Sequence, residues 1–181
     1  MIDIQTKLIS DDIQFTGKNA IIGAGTVIFS NVSIGNNCII GPLNVLESGI
    51  SIGDNVTIQP HGVFARDTII QNNVFIGPHF TCANDKFIQD GEHGLSKNKK
   101  PFKQENIIIK EGTRIGTHCV VAPGVTIGKN CFIKMNCFIK KDVPDNTTIM
   151  AGTIWQDDYE FWWIIFWNML VQWSKYHTLI G

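Results

Sequence analysis

The sequence predicts an all-β fold: a left-handed parallel β-helix of hexapeptide repeats, with one long protruding loop and a C-terminal helix. Three observations carry this. Large aliphatic residues recur every six positions, small or branched residues recur with the same period at a fixed offset, and turn-forming residues fill the places between. A helix repeats every 3.6 residues and a strand every 2, so neither sustains a period of six. Fixed self-similarity of this kind marks a solenoid, in which each coil buries its neighbour.

The first file starts at Ile22 and steps by six through Ile28, Ile34, Ile40, Leu46, Ile52, Ile58, Phe64, Ile70, Ile76 and Cys82. It resumes at Ile109 and continues through Ile115, Val121, Ile127, Ile133 and Ile139. Gly often follows the aliphatic, as at Gly23, Gly35, Gly41, Gly53, Gly77, Gly116 and Gly128. Four positions after the aliphatic stand Thr26, Val32, Cys38, Asn44, Ile50 and Val56, and later Thr113, Cys119, Val125, Cys131, Cys137 and Val143. The pattern reads as strand, corner, strand, with three hexapeptides closing a triangular coil of about 18 residues. The aliphatic points inward and the smaller residue fits the interior near a corner. Residues 1–150 form this domain, with residues 83–108 inserted as a loop, and residues 151–181 form a Trp-rich helical tail.

Composition sets the frame. The chain has 181 residues, 44% hydrophobic, enough for one domain with a real core. A formal net charge of −1 provides no global field to attract nucleic acid. The first residues show no basic region followed by a long apolar run, so no signal peptide is read and the expected compartment is the cytoplasm. Five cysteines, without a C-x-x-C pair, argue against a disulfide framework or a zinc site. Cys38, Cys119, Cys131 and Cys137 fall in the small inward slot, where a thiol packs as a small apolar group.

Residues 83–108 break the period. A loop projecting from a rigid scaffold is a usual place for function. This one holds Asn84, Asp85, His93 and the basic stretch Lys97, Lys99, Lys100 and Lys103. The lysines read either as a solvated turn or as contacts to phosphate.

Over residues 16–150 the repeats resemble the hexapeptide acyltransferase superfamily. Within them, FTCANDKF (residues 80–87), IIIKEGTRIGTHCVVAPGVTIGKNCFI (107–133) and KKDVPDNT (140–147) resemble the N-acetyltransferases of nucleotide-linked amino sugars. That resemblance implies acetyl-CoA as co-substrate, a nucleotide-sugar acceptor in surface polysaccharide synthesis, a homotrimer with the site between subunits, and a functional Asn84 with Asp85 beside it. Residues 88–94 (IQDGEHG) resemble the loop of a second branch, the sugar O-acetyltransferases, and this leaves the acceptor open between amine and hydroxyl. A non-enzymatic scaffold is the third reading, since a fold alone does not settle function.

Acyl transfer needs an acceptor nucleophile, an acceptor for its proton, and stabilisation of the oxyanion. A neutral amine attacks a thioester directly, so the amide of Asn84 suffices to orient it, whereas a hydroxyl calls for a base such as His93. His61 and His79 lie one coil apart and belong on one corner; His118 has the same place in its hexapeptide, on a corner the loop conceals. Backbone amides near Gly116 and Ala122 are expected to hold the pantetheine arm, and Lys134, Lys140 and Lys141 to meet CoA phosphates. No group has metal-ligand spacing, so no metal is expected.

All five tryptophans lie in the last 27 residues. Residues 161–173 are apolar on nearly all sides but too short to span a bilayer, which takes about 20 apolar residues. They read either as packing against the β-helix or a neighbouring subunit, or as a peripheral membrane contact.

Overall fold

The computed structural model describes residues 14–15, 17–84 and 105–156. Within them it is the predicted parallel β-helix, built from two-residue strands in three sheets. The first sheet holds β1 (Gln14–Phe15), β4 (Ser33–Ile34), β7 (Ser51–Ile52), β10 (Ile69–Ile70), β13 (Ile108–Ile109) and β16 (Thr126–Ile127). The second holds β2 (Ile21–Ile22), β5 (Ile39–Ile40), β8 (Thr57–Ile58), β11 (Phe75–Ile76), β14 (Arg114–Ile115), β17 (Phe132–Ile133) and β19 (Thr148–Ile149). The third holds β3 (Val27–Ile28), β6 (Val45–Leu46), β9 (Val63–Phe64), β12 (Thr81–Cys82), β15 (Val120–Val121), β18 (Phe138–Ile139) and β20 (Ile154–Trp155).

Two-residue strands suffice because the ladder runs between coils. Ile21 pairs with Ile39, and Ile22 with Ile40, 18 residues on. The N–H of Gly23 donates to the Ile40 carbonyl at 2.7 Å and that of Gly41 to the Ile58 carbonyl at 2.7 Å, so the ladder extends past the strands. Each coil thereby satisfies the backbone of its neighbour. The inward aliphatic file is buried from Ile28 to Ile149, which makes it one continuous core.

Among the described residues the regular six-residue corners turn through a residue with positive φ. Asn, Asp and His tolerate this region better than most side chains, which explains the corner composition. Between the first and second sheets the corner is an asparagine ladder: the Asn19, Asn37 and Asn55 amides donate in turn to Oδ1 of Asn37, Asn55 and Asn73 at 3.2–3.3 Å.

The small inward slot has a rule that composition did not reveal. Its hydroxyls and thiols donate to a carbonyl fifteen residues ahead where the coil is regular: Thr26 to Gly41 at 2.8 Å, Thr113 to Gly128 at 2.6 Å, Cys38 to Gly53 at 3.0 Å and Cys119 to Lys134 at 3.1 Å. These groups satisfy corner carbonyls that face the interior. Burial pushes the Cys82 and Cys119 thiols up to about 11 and raises Cys38, so at neutral pH they remain protonated packing groups.

Two departures from the period are instructive. The pairing Ile69↔Ile108 spans 39 residues where Ile52 and Ile70 span 18, so the loop adds 21 residues without disturbing the register. Coil positions are held to Asn84 and regained from Glu105, inside the expected 83–108. Val143, expected in the small slot, instead bridges Ile127 in the aliphatic file. The corner before it is two residues short, so Ile133 meets Ile149 at a spacing of 16. The helical tail was expected over residues 151–181, but residues 151–156 continue the solenoid, with Ile154–Trp155 paired to β18; residues 157–181 lie outside the described residues.

Candidate active site

The residue before each inward aliphatic points outward, because side chains alternate along a strand. On the third sheet these are Val27, Val45, Val63, Thr81, Val120, Phe138 and Ile154, an apolar stripe broken only by Thr81. On the first sheet they include Ser33, Ser51 and Thr126. The third sheet is therefore a floor with little competing polarity, and every described site candidate stands along one of its two edges.

One edge is the corner between the second and third sheets. Here His61, His79 and His118 form a single ladder. The rings of His61 and His79 stack with centroids 4.8 Å apart at 4°, and those of His79 and His118 at 4.6 Å and 12°. All three have positive φ and are exposed. His118, whose corner the sequence left hidden, is thus brought onto the same edge by the 39-residue return. Thr117, which sequence reasoning passed over, makes two contacts there. Its Oγ1 donates to the Pro78 carbonyl at 3.0 Å and lies 2.8 Å from Nδ1 of His118. The available signal was a substitution: Pro60 and Pro78 precede the other two histidines, and Thr117 replaces proline before the third.

The other edge is the corner between the third and first sheets. Asn84 stands there, half-buried, at the last coil position before the loop. Asp85 and His93 lie outside the described residues, as do Lys97, Lys99, Lys100 and Lys103. Further along this edge, Lys140 donates to Oε1 of Gln156 at 2.9 Å, and the Lys141 ammonium sits 5.1 Å from the centre of the Trp155 ring. The Trp155 indole N–H donates to the Asp142 carbonyl at 3.1 Å, so the two lysines border a braced end of the solenoid.

The expected cofactor residues do not form one cluster. Gly116 and Lys134 lie on the histidine edge, and Ala122, Lys140 and Lys141 on the loop edge, with β15 and β18 between. The backbone amides of Gly116 and Ala122 themselves are already used: Gly116 N–H donates to the Ile133 carbonyl at 2.8 Å, and Ala122 N–H to the Ile139 carbonyl at 2.9 Å. The parallel ladder consumes these two donors. Glycine at 116 still has a physical reason, because a Cβ there would lie 2.7 Å from the Met135 nitrogen.

A shallow depression of about 470 Å³ lies on the first sheet, lined by residues including Ser51, Ile69, Glu111 and Lys129, away from both edges. Among the described residues, no group of three or more His, Cys, Asp or Glu is arranged to hold a metal ion. Among them, too, no helix is long and apolar enough to cross a membrane, and the tail residues 161–173 lie outside them.

The family model for the bacterial transferase hexapeptide (six repeats) matches residues 31–66 and 106–141. Galactoside O-acetyltransferases of Lactococcus lactis and Escherichia coli are 37% and 40% identical over 62 and 60 residues, 34% and 33% of this chain. The chain spans 27% and 29% of those relatives' length. A mutant of AntD, an N-acyltransferase from Bacillus cereus solved with dTDP and Coenzyme A, superposes with a TM-score of 0.67 at 18% identity. That match covers 93% of this chain and 100% of AntD, and it speaks to the fold. The matched repeats fall on the 18-residue coils of the three parallel sheets, so over those residues this chain is similar to the hexapeptide-repeat transferases.

Proposed function

We propose that this chain is an acetyl-CoA-dependent acetyltransferase that modifies an amino group of a nucleotide-linked sugar. The observation that carries the proposal is the two-edged site. A polar insertion leaves the coil at Asn84 on one side of an apolar floor, and an exposed histidine ladder stands on the other. A scaffold would need neither. AntD, similar in fold over nearly the whole chain, was solved with dTDP and Coenzyme A, and another AntD mutant with dTDP-4-amino-4,6-dideoxyglucose and Coenzyme A, ligands of the two kinds this reading requires.

In this reading the amine nitrogen attacks the thioester carbonyl carbon, the C–S bond breaks, and CoA leaves as its thiol. Asn84 orients the amine or the carbonyl, with Asp85 holding the sugar. A histidine, from the ladder or His93, takes the proton released by the amine and passes it to the departing sulfur, so that CoA leaves as its thiol and the histidine returns to neutral. The pantetheine arm runs along the later coils, beside Gly116 and Ala122 at the two edges of β15. Lys134, Lys140 and Lys141 meet phosphates at the two edges. The apolar floor is covered by a second copy in a homotrimer, so the site lies between subunits.

A hydroxyl acceptor is the second reading. It is favoured by the exposed ladder, which supplies the base a hydroxyl requires, and by the two O-acetyltransferase relatives. CoA release measured with acetyl-CoA across amino-sugar nucleotides, plain sugar nucleotides and free galactosides separates the readings. Release with the amines alone supports the proposal. Release with hydroxyl acceptors alone transfers it to the second reading, and absence of both release and CoA-ester binding leaves the scaffold.

A further inference from the structure

The three ladder histidines differ in one respect: what stands behind each ring. Proline precedes His61 and His79 and provides no side-chain hydrogen bond. Thr117 precedes His118. A threonine hydroxyl has one proton to give. The Thr117 proton is directed to the Pro78 carbonyl, 3.0 Å from Oγ1. The 2.8 Å contact to the imidazole must then run the other way, with Nδ1–H of His118 donating to a lone pair of Oγ1. With the Nδ1 proton in place, Nε2 of the neutral ring is the unprotonated nitrogen. Among the described residues Nε2 has no hydrogen-bond partner, and His118 is exposed. Stacking on His79 at 12° keeps the ring from turning out of this arrangement.

We propose that Thr117 is a positioning residue that locks His118 in its Nδ1–H tautomer, so that Nε2 is the proton acceptor of the ladder. Free imidazole side chains in water favour the opposite tautomer, so the Pro78–Thr117–His118 relay reverses the default. This inference rests on the reading of the histidine edge as part of an acyl-transfer site. It adds that one ladder member is prepared as a base and that a threonine prepares it. His61 and His79 have no such relay and serve as the stacking support.

The test uses the full chain labelled with ¹⁵N-histidine, the His118 signals being identified by their loss in His118→Asn. Long-range proton–nitrogen correlation spectra at a pH where the ring is neutral are expected to show Nδ1–H for His118. Thr117→Val should shift the signals towards Nε2–H and lower kcat roughly tenfold with little change in KM, the loss expected of one hydrogen bond. Thr117→Ser, which keeps the relay, should restore both. An Nε2–H tautomer in the unmodified protein, or one insensitive to Thr117→Val, overturns the inference whatever the activity. A tautomer that moves as expected while kcat stays unchanged shows the lock but overturns its catalytic use. Absence of acetyl transfer by the unmodified protein with every acceptor, beside an intact Nδ1–H tautomer, instead identifies the acyl-transfer reading as the failure and withdraws the positioning role with it.

Discussion

At the scale of single residues, the corners set the terms. Leu43 has φ of 59° at the place that His61 and His79 fill in later coils, and it is 53% exposed. A leucine in the left-handed region costs about 1–2 kcal/mol, and little burial offsets it here. Leu43→Asn should therefore stabilise the protein by roughly 1 kcal/mol, read as a higher midpoint in urea with an unchanged slope. Asn84 belongs to chemistry instead. In the proposed enzyme Asn84→Ala should lower kcat about ten- to a hundredfold by loss of one positioning hydrogen bond, with the melting temperature held. The buried thiols predict a pH response. Cys82 and Cys119 move from 9.0 in the unfolded chain to about 11 when folded. Their contribution is fully present below pH 9 and is lost as pH rises from 9 to 11, because the unfolded chain releases its thiol protons first. Melting temperature should fall across that window, and Cys82→Ala should shallow the fall.

At the scale of the coil, volumes are traded between neighbouring slots. Phe80 occupies a slot that elsewhere holds smaller residues such as Thr, Cys, Val, Asn or Ile, and its ring packs 5.2 Å from that of Phe64. The exchange is balanced by Cys82 in the aliphatic file and by Gly62 in the small slot one coil earlier. A Cβ at Gly62 would lie 2.6 Å from the Phe64 ring and 2.7 Å from Oδ1 of Asn44, which accepts the Gly62 N–H at 2.6 Å. Gly62→Ala should cost about 1–3 kcal/mol in denaturant unfolding, as overpacking usually does. A cost near zero would mean that the Phe64–Phe80 pair can shift freely, contrary to this packing.

At the scale of the whole molecule, two faces expose apolar residues: Ile21, Ile39, Phe75 and Phe132 on the second sheet, and Val63, Val120, Phe138 and Ile154 on the third. In the proposed trimer the third-sheet stripe, which lies between the two edges of the site, is the surface a second copy covers. In the proposed trimer, Val120→Glu together with Phe138→Glu should give monomers in sedimentation velocity at micromolar concentration. Monomers of the unmodified protein would remove the shared site. Solenoids of this kind gain stability coil by coil, so the double variant should melt with little loss beyond that of the lost interface.

The fold was legible because a solenoid writes its core locally. Each inward residue is six positions from the next, so Ile22 to Cys82 reveals the prism without any long-range information. The glycines and asparagines of the corners follow from backbone sterics. Three things were decided only in three dimensions. A 21-residue excursion returns to the same register, and this alone brought His118 onto the ladder of His61 and His79. A shortened corner moved Val143 from the small slot to the aliphatic file. The parallel ladder took the amides of Gly116 and Ala122. The physical reason is common to all three. The period states which side chains face inward, but the return point of a loop, the length of a corner and the partner of an N–H depend on the coil above.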